Sequence, residues 1–149
     1  MTQLRFDHRD AVVTGAGRGI GEAHAKLLAS RGASVVVNDV DRAESERVAS
    51  EIVASGGTAI ANADTVASAK SAANIIGQAI DAFGHVDVVI NNAGIVRYLD
   101  FPSTDEQVWR ELLDVHLMGS VFVTQAAWPH MVAQNYVRLL NLDRVARGE

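Results

Sequence analysis

The sequence predicts an α/β fold, a doubly wound parallel sheet with helices on both faces. Three observations predict it. Apolar runs rich in valine recur at residues 11–13, 34–37 and 86–90, as strands buried on both faces require. Segments with helical spacing of apolar residues separate them, and glycines punctuate the junctions. Strands that alternate with helices imply right-handed crossovers and parallel pairing. At 149 residues the chain has room for one domain, whose core would bury roughly 70% of the unfolded surface.

The elements follow in order. Residues 11–14 read as a short buried strand. A helix over 22–31 places Ala23, Leu27 and Leu28 on one face, and Gly32 stops it. Residues 34–39 form the second strand. Asp41 can cap the next helix, with Glu44 completing a capping box and Val48, Ile52 and Val53 as its buried stripe. Gly56 and Gly57 end it. A weaker strand covers 58–63. Residues 67–83 are helical by pattern, with Ala72, Ile75, Ile76, Ala79, Ile80 and Phe83 on one face. Residues 86–90 are the fourth strand, running into Asn91-Asn92-Ala93-Gly94. Ser103 with Glu106, or Thr104 with Gln107, starts a long helix to about residue 134, which Pro129 should bend. Trp109, Met118, Trp128 and Met131 on it read as core or interface residues. Residues 137–142 are the fifth strand.

Composition narrows the function classes. The net charge of −5 carries no local basic patch, which argues against nucleic acid as a partner. There is no cysteine, so disulfides, thiolate catalysis and cysteine metal sites are excluded. The five histidines show no metal-ligand spacing, and no metal site is expected. No apolar run approaches the roughly 20 residues of a membrane span. The polar residues 1–10 do not form a signal peptide, and a cytoplasmic location is expected.

The chemistry concentrates in Thr14-Gly15-Ala16-Gly17-Arg18-Gly19-Ile20-Gly21. A strand feeding a glycine turn into a helix N-terminus presents unpaired N–H groups and the positive end of the helix dipole, a receptor for phosphate. The G-x-G-x-x-G spacing fails, because Ile20 stands at the third glycine position, and no Gly-Lys-Ser/Thr follows for a Walker loop. The pattern T-G-x-x-x-G-x-G, joined by Asn91-Asn92-Ala93-Gly94 at a later strand end, resembles the short-chain dehydrogenase/reductase family over residues 7–141. The stretches 115–120, 126–128, 130–131 and 134–136 are similar to the hydroxyacyl-CoA dehydrogenase part of the peroxisomal multifunctional enzyme.

The resemblance implies a Rossmann-type three-layer α/β/α domain over 1–149 and a dinucleotide partner. Gly15 would make the tight turn, Gly19 admit the pyrophosphate and Gly21 let the helix pack closely, with Arg18 and Ile20 in the same cofactor-binding turn. Asp39, 18 residues beyond Gly21, would accept the adenosine ribose hydroxyls and repel a 2′-phosphate. Arg18 argues the other way, since a base there often meets that phosphate in the family. The balance favours NAD over NADP. Asp64 and Thr65 match the adenine edge, and Asn92, Ala93 and Gly94 the turn beside the nicotinamide ribose. Asn91 reads as structural, because a buried amide must find partners.

The family's catalyst is a serine and a Tyr-x-x-x-Lys pair, the lysine lowering the tyrosine pKa. Neither is found in residues 1–149: alignment puts Arg144 at the serine position, Tyr136 precedes the fifth strand, and no lysine follows Lys70. No catalytic residue is therefore assigned. His116 stands where most members carry an asparagine that relays protons. The expectation is an incomplete domain lacking the last strands and helices, marginally stable, with an exposed fifth strand favouring aggregation or a homo-oligomer. Two function classes stay open: an NAD-dependent oxidoreductase acting on an unknown alcohol or ketone, inactive alone, or a non-catalytic dinucleotide-binding or partner-binding protein.

Overall fold

The computed structural model describes residues 4–142. The five strands are β1 (Asp10–Thr14), β2 (Ser34–Asn38), β3 (Thr58–Asn62), β4 (Val88–Asn91) and β5 (Arg138–Asn141). They form one sheet in the order β3-β2-β1-β4-β5, and every neighbouring pair is parallel. The principal helices are α1 (Gly19–Ser30), α2 (Arg42–Ala54), α3 (Ala69–Phe83), α4 (Glu106–Leu113) and α5 (Gly119–Ala133). The doubly wound α/β sheet expected from the valine runs is thus the observed fold.

Period-two alternation along the strands divides the core in two. Ala11, Val13, Val35, Val37, Val88 and Ile90 face Ala25 and Leu28 of α1 and Val48 and Ile52 of α2. Val12, Val36 and Val89 face the other way, onto Ala72, Ile75, Ile76 and Ala79 of α3 and Val123, Ala127 and Met131 of α5. Parallel strands covered on both sides need apolar residues at every position, hence the continuous valine runs.

Several boundaries differ from expectation, each for a local reason. α1 starts at Gly19 rather than residue 22, so the last glycines of the turn form its first turn. β2 ends at Asn38, which leaves Asp39 as the first loop residue. α3 starts at Ala69 because Ser68 caps it, accepting from Ser71 N. β4 starts at Val88. Val86 bonds instead to the Gln134 side chain (N to Oε1 3.3 Å, O from Nε2 3.2 Å), and Asp87 exchanges bonds with the Asp10 backbone.

The long helix is the largest correction. Its cap is Asp105, whose side chain accepts from Val108 N at 2.9 Å, rather than Ser103 or Thr104. It is interrupted by a π-helical turn, Asp114–Met118, before continuing as α5 through Pro129 to Ala133. Only Met131 of the four large residues assigned to core or interface is fully buried; Trp109 and Trp128 are about half exposed. α4 has no buried residue, so the core takes only the second half of this segment.

β5 is a sheet edge, and three of its four residues are exposed. Among the described residues no helix is long and apolar enough to cross a membrane. The position of Arg144 and the rest of residues 143–149 lie outside the described residues.

Candidate functional site

Parallel strands bring the carboxyl ends of β1, β2 and β4 together, and the predicted motifs meet there. Thr14, the last residue of β1, is the hub. Its Oγ1 accepts from Asn92 N and Ala93 N, each at 3.1 Å. The Asn92 amide in turn donates from Nδ2 to Thr14 O and Gly15 O, both at 2.9 Å. The glycine turn and the Asn92-Ala93-Gly94 turn are therefore one bonded unit. Asn92 Oδ1 is buried with no protein partner.

Glycine is required here by contact as well as by backbone angle. Gly15 has φ +61°, and a Cβ on it would lie 2.8 Å from Ala93 Cα. A Cβ on Gly21 would overlap the Gly15 carbonyl oxygen and the Asn92 amide. Gly19 has φ +59°. Arg18 is the N-cap residue of α1 but offers no side-chain acceptor to the first N–H groups, whereas Asp41, Ser68 and Asp105 do so for α2, α3 and α4.

Asp39 stands beside this turn. Its Oδ2 accepts from Gly17 N at 2.9 Å and its Oδ1 from Asp41 N at 3.0 Å. The second bond replaces the expected half of the capping box; Glu44 instead pairs with Arg47. Gly17, not singled out by the glycine spacing, is held on both sides, because Arg47 Nη2 donates to its carbonyl at 2.9 Å. A Cβ on Gly17 would sit 2.7 Å from Asp39 Oδ2. Arg18 turns to Asp41, with Nη2 and Oδ2 2.7 Å apart.

The next strand ends are joined by amides. Asn38 Nδ2 donates to Asn62 Oδ1 at 2.7 Å and to Asp64 O at 2.8 Å. Asn62 Nδ2 reaches Asp64 Oδ2 at 3.0 Å and Gln78 Oε1 at 2.7 Å. Asp64 is thus oriented by its neighbours, while Thr65 is exposed and accepts from Ala67 N. Asn91 ties β4 to β5 and α5, donating to Asn141 Oδ1 at 2.8 Å and Thr124 Oγ1 at 3.0 Å.

The π turn places the His116 ring over Gly94, where a Cβ would meet its Cε1 at 2.7 Å. Its Nε2 lies 3.1 Å from Ile95 N and 2.8 Å from Ile95 O, so the ring braces that backbone. A cleft of about 130 Å³ opens between these groups, lined by Gly15, Asp39, Thr65, Ala93 and Gly94 together with Asn38, Val66 and Val115. Arg18, Gly19, Ile20, Gly21, Asp64 and Asn92 do not line it. Tyr136 is far from it: the ring packs on Arg9 and Arg138, at the amino ends of the strands. Thr14 and Gly17 belong to the glycine stretch and Asn38 to the second strand, yet no site role attaches to them or to Arg47 from the sequence alone. Polar residues closing a valine strand, as Thr14 and Asn38 do, were the available signal.

Arg47 belongs to an ion-pair network that holds α1 to α2. It contacts Glu22 at 3.0 Å, Glu44 at 2.8 Å and Glu51 at 2.9 Å, and Lys26 reaches Glu22 and Glu51, each at 2.6 Å. Hydrogen bonds from Arg47 and then Lys26 hold the Glu22 carboxyl down from its usual 4.5 to about 2. A depressed folded-state value stabilises the fold above the unfolded value, and the gain is lost as pH falls through the depressed one. The urea midpoint is expected to hold from about pH 7 to about pH 5 and to fall between about 4.5 and 2, beyond the general acid effect. Arg47→Ala should flatten that fall.

Comparison with known proteins agrees with the geometry. The mouse peroxisomal multifunctional enzyme type 2 is 44% identical over 146 residues, covering 92% of this chain and 20% of its own length. A 7α-hydroxysteroid dehydrogenase solved with NADH superposes with a TM-score of 0.86 at 30% identity, covering 91% of this chain and 52% of that one. A metagenomic short-chain oxidoreductase solved with NADP gives 0.88 at 33%, covering 94% and 64%. The chain spans about a fifth of the first relative and between half and two thirds of these solved chains. Residues 9–146 match the short chain dehydrogenase family, and this chain belongs to that oxidoreductase family.

Proposed function

We propose that the chain binds NAD in preference to NADP and forms the cofactor half of an alcohol/ketone oxidoreductase. The observation that carries it is Asp39, bonded to Gly17 N at 2.9 Å and lining the cleft beside Gly15. A carboxylate there suits two ribose hydroxyls and opposes a phosphate. Gly15 and Gly21 let the turn close on Asn92 and Ala93, where a Cβ would clash, and the N–H groups of the first turn of α1 face no side-chain cap, as a pyrophosphate acceptor needs. Asp64 and Thr65 would edge the adenine; Ala93 and Gly94, held by Asn92, would edge the nicotinamide ribose. When bound, the cofactor supplies the hydride chemistry.

Titration with NADH and NADPH, followed by nicotinamide fluorescence, tests the reading. Saturable NADH binding that is at least several-fold tighter than NADPH is expected, and no saturation with either would overturn it. Asp39→Ala should weaken NADH about tenfold or more, the loss of about 1.5–3 kcal/mol expected for a charge-assisted bond. It should narrow the gap to NADPH.

Residues 1–149 hold no Tyr-x-x-x-Lys, so binding without substrate-dependent turnover is expected of them alone. A non-catalytic dinucleotide-binding role gives the same titration, and turnover assays with alcohols and ketones separate the two. The exposed β5 edge supports self-association, which light scattering measures. A cytoplasmic location is part of the proposal, and because several relatives are named peroxisomal, fluorescence imaging of a tagged chain is its test.

A further inference from the structure

Arg18 is the sequence's argument for a 2′-phosphate, and the structure engages it elsewhere. Its Nη2 lies 2.7 Å from Asp41 Oδ2 and 3.7 Å from Glu44 Oε1. Glu44 is drawn the other way by Arg47, at 2.8 Å, which leaves Asp41 as the nearer partner. Asp41 is itself fixed. Its Oδ1 caps α2 by accepting from Glu44 N at 3.3 Å, and its own N–H donates to Asp39 Oδ1 at 3.0 Å. The residue that holds Arg18 therefore also donates its backbone N–H to the carboxylate expected at the ribose. A guanidinium left unengaged beside Asp39 would be the natural bidentate partner of a phosphate.

We propose that Asp41 is a specificity-determining residue: by holding Arg18 on the N-terminus of α2, it keeps that cation from an adenosine 2′-phosphate. The proposal rests on the dinucleotide reading above. Discrimination then has two parts. Asp39 repels the phosphate, and Asp41 occupies a nearby cation able to offset that repulsion. Arg18 and Asp41 are 69% and 41% exposed in their side chains, so the latch is a modest one, strongest at low ionic strength.

The test is a double-mutant cycle on the whole 149-residue chain, using ADP and adenosine 2′,5′-bisphosphate as probes in calorimetry at low salt. These probes need only the adenosine half of the site. Asp41→Asn keeps the α2 cap, because asparagine caps as well as aspartate, and Asp41→Ser is the second variant should the first fold poorly. The readout is the ratio of ADP to 2′,5′-bisphosphate dissociation constants. Asp41→Asn is expected to shift it toward the bisphosphate by about threefold to fivefold. In an Arg18→Ala background the same substitution should shift it by less than about twofold. An equal shift in both backgrounds overturns the latch, since removal of a negative charge would then explain the effect without Arg18. No shift in either overturns it as well. If the parent chain binds neither probe, the dinucleotide reading falls and takes the latch with it; binding of ADP with a failed cycle removes the latch alone.

Discussion

Gly21→Ala is expected to lower the unfolding free energy by about 2–3 kcal/mol and to abolish saturable NADH binding. Alanine ordinarily favours a helix over glycine by about 1 kcal/mol, so the expected sign reverses the propensity rule. The reason is contact. The added carbon would overlap both the Gly15 carbonyl oxygen and the Asn92 amide, which are themselves hydrogen-bonded to each other at 2.9 Å. Neither can yield without moving the turn or breaking that bond. Gly77 in α3 is the internal control, because a Cβ there meets nothing within 4 Å. Gly77→Ala should stabilise the chain by about 0.5–1 kcal/mol. Urea unfolding of the two variants beside the parent, with NADH titration of each, measures both effects. Two alanine variants of equal stability would refute the packing argument.

Asn92→Asp changes one nitrogen to oxygen and is expected to cost about 3–5 kcal/mol near neutral pH, the range for an uncompensated buried charge. The Asn92 amide donates to two carbonyl oxygens, Thr14 O and Gly15 O, and the residue is 8% exposed. A carboxylate would face both acceptors with no proton between them. Burial and those oxygens would raise its pKa, and the protonated acid could restore one of the two bonds. The variant's deficit should therefore shrink as pH falls and grow as pH rises through the raised value. Urea midpoints of parent and variant at several pH values give the difference directly. A deficit independent of pH would show that shape, rather than the donated bonds, makes this residue necessary.

The strands and their order of appearance were readable because a doubly covered sheet requires unbroken apolar runs, and Val12, Val36 and Val89 are buried for that reason. The gathering of Asp39, Gly15 and the 92–94 turn at the carboxyl ends of the strands was readable because each follows a valine-rich run. What escaped depends on partners distant in sequence. Thr14 looks like a strand terminus until Asn92 and Ala93 arrive on its hydroxyl. Arg47 looks like a solvated helix residue until Gly17 is seen accepting from it. The π turn at Asp114–Met118 left no local signal, since one added residue only rotates the following face, and α5 is apolar on several faces. Asp105 outcompeted Ser103 and Thr104 as a cap because those two bond to Asp100 O instead.

The bonds from Asn92 and Ala93 to the Thr14–Gly15 segment span 77 to 79 residues. They bear on the order of events during folding. Local helices and the β1–β2 pairing need far shorter loop closures, so they can form before β4 docks. Until it docks, the glycine turn lacks its second wall. Occupancy of the cleft would therefore report the docking of β4. By linkage, a ligand held there at about a hundred times its Kd adds about 2.7 kcal/mol to the unfolding of the whole domain rather than to one loop.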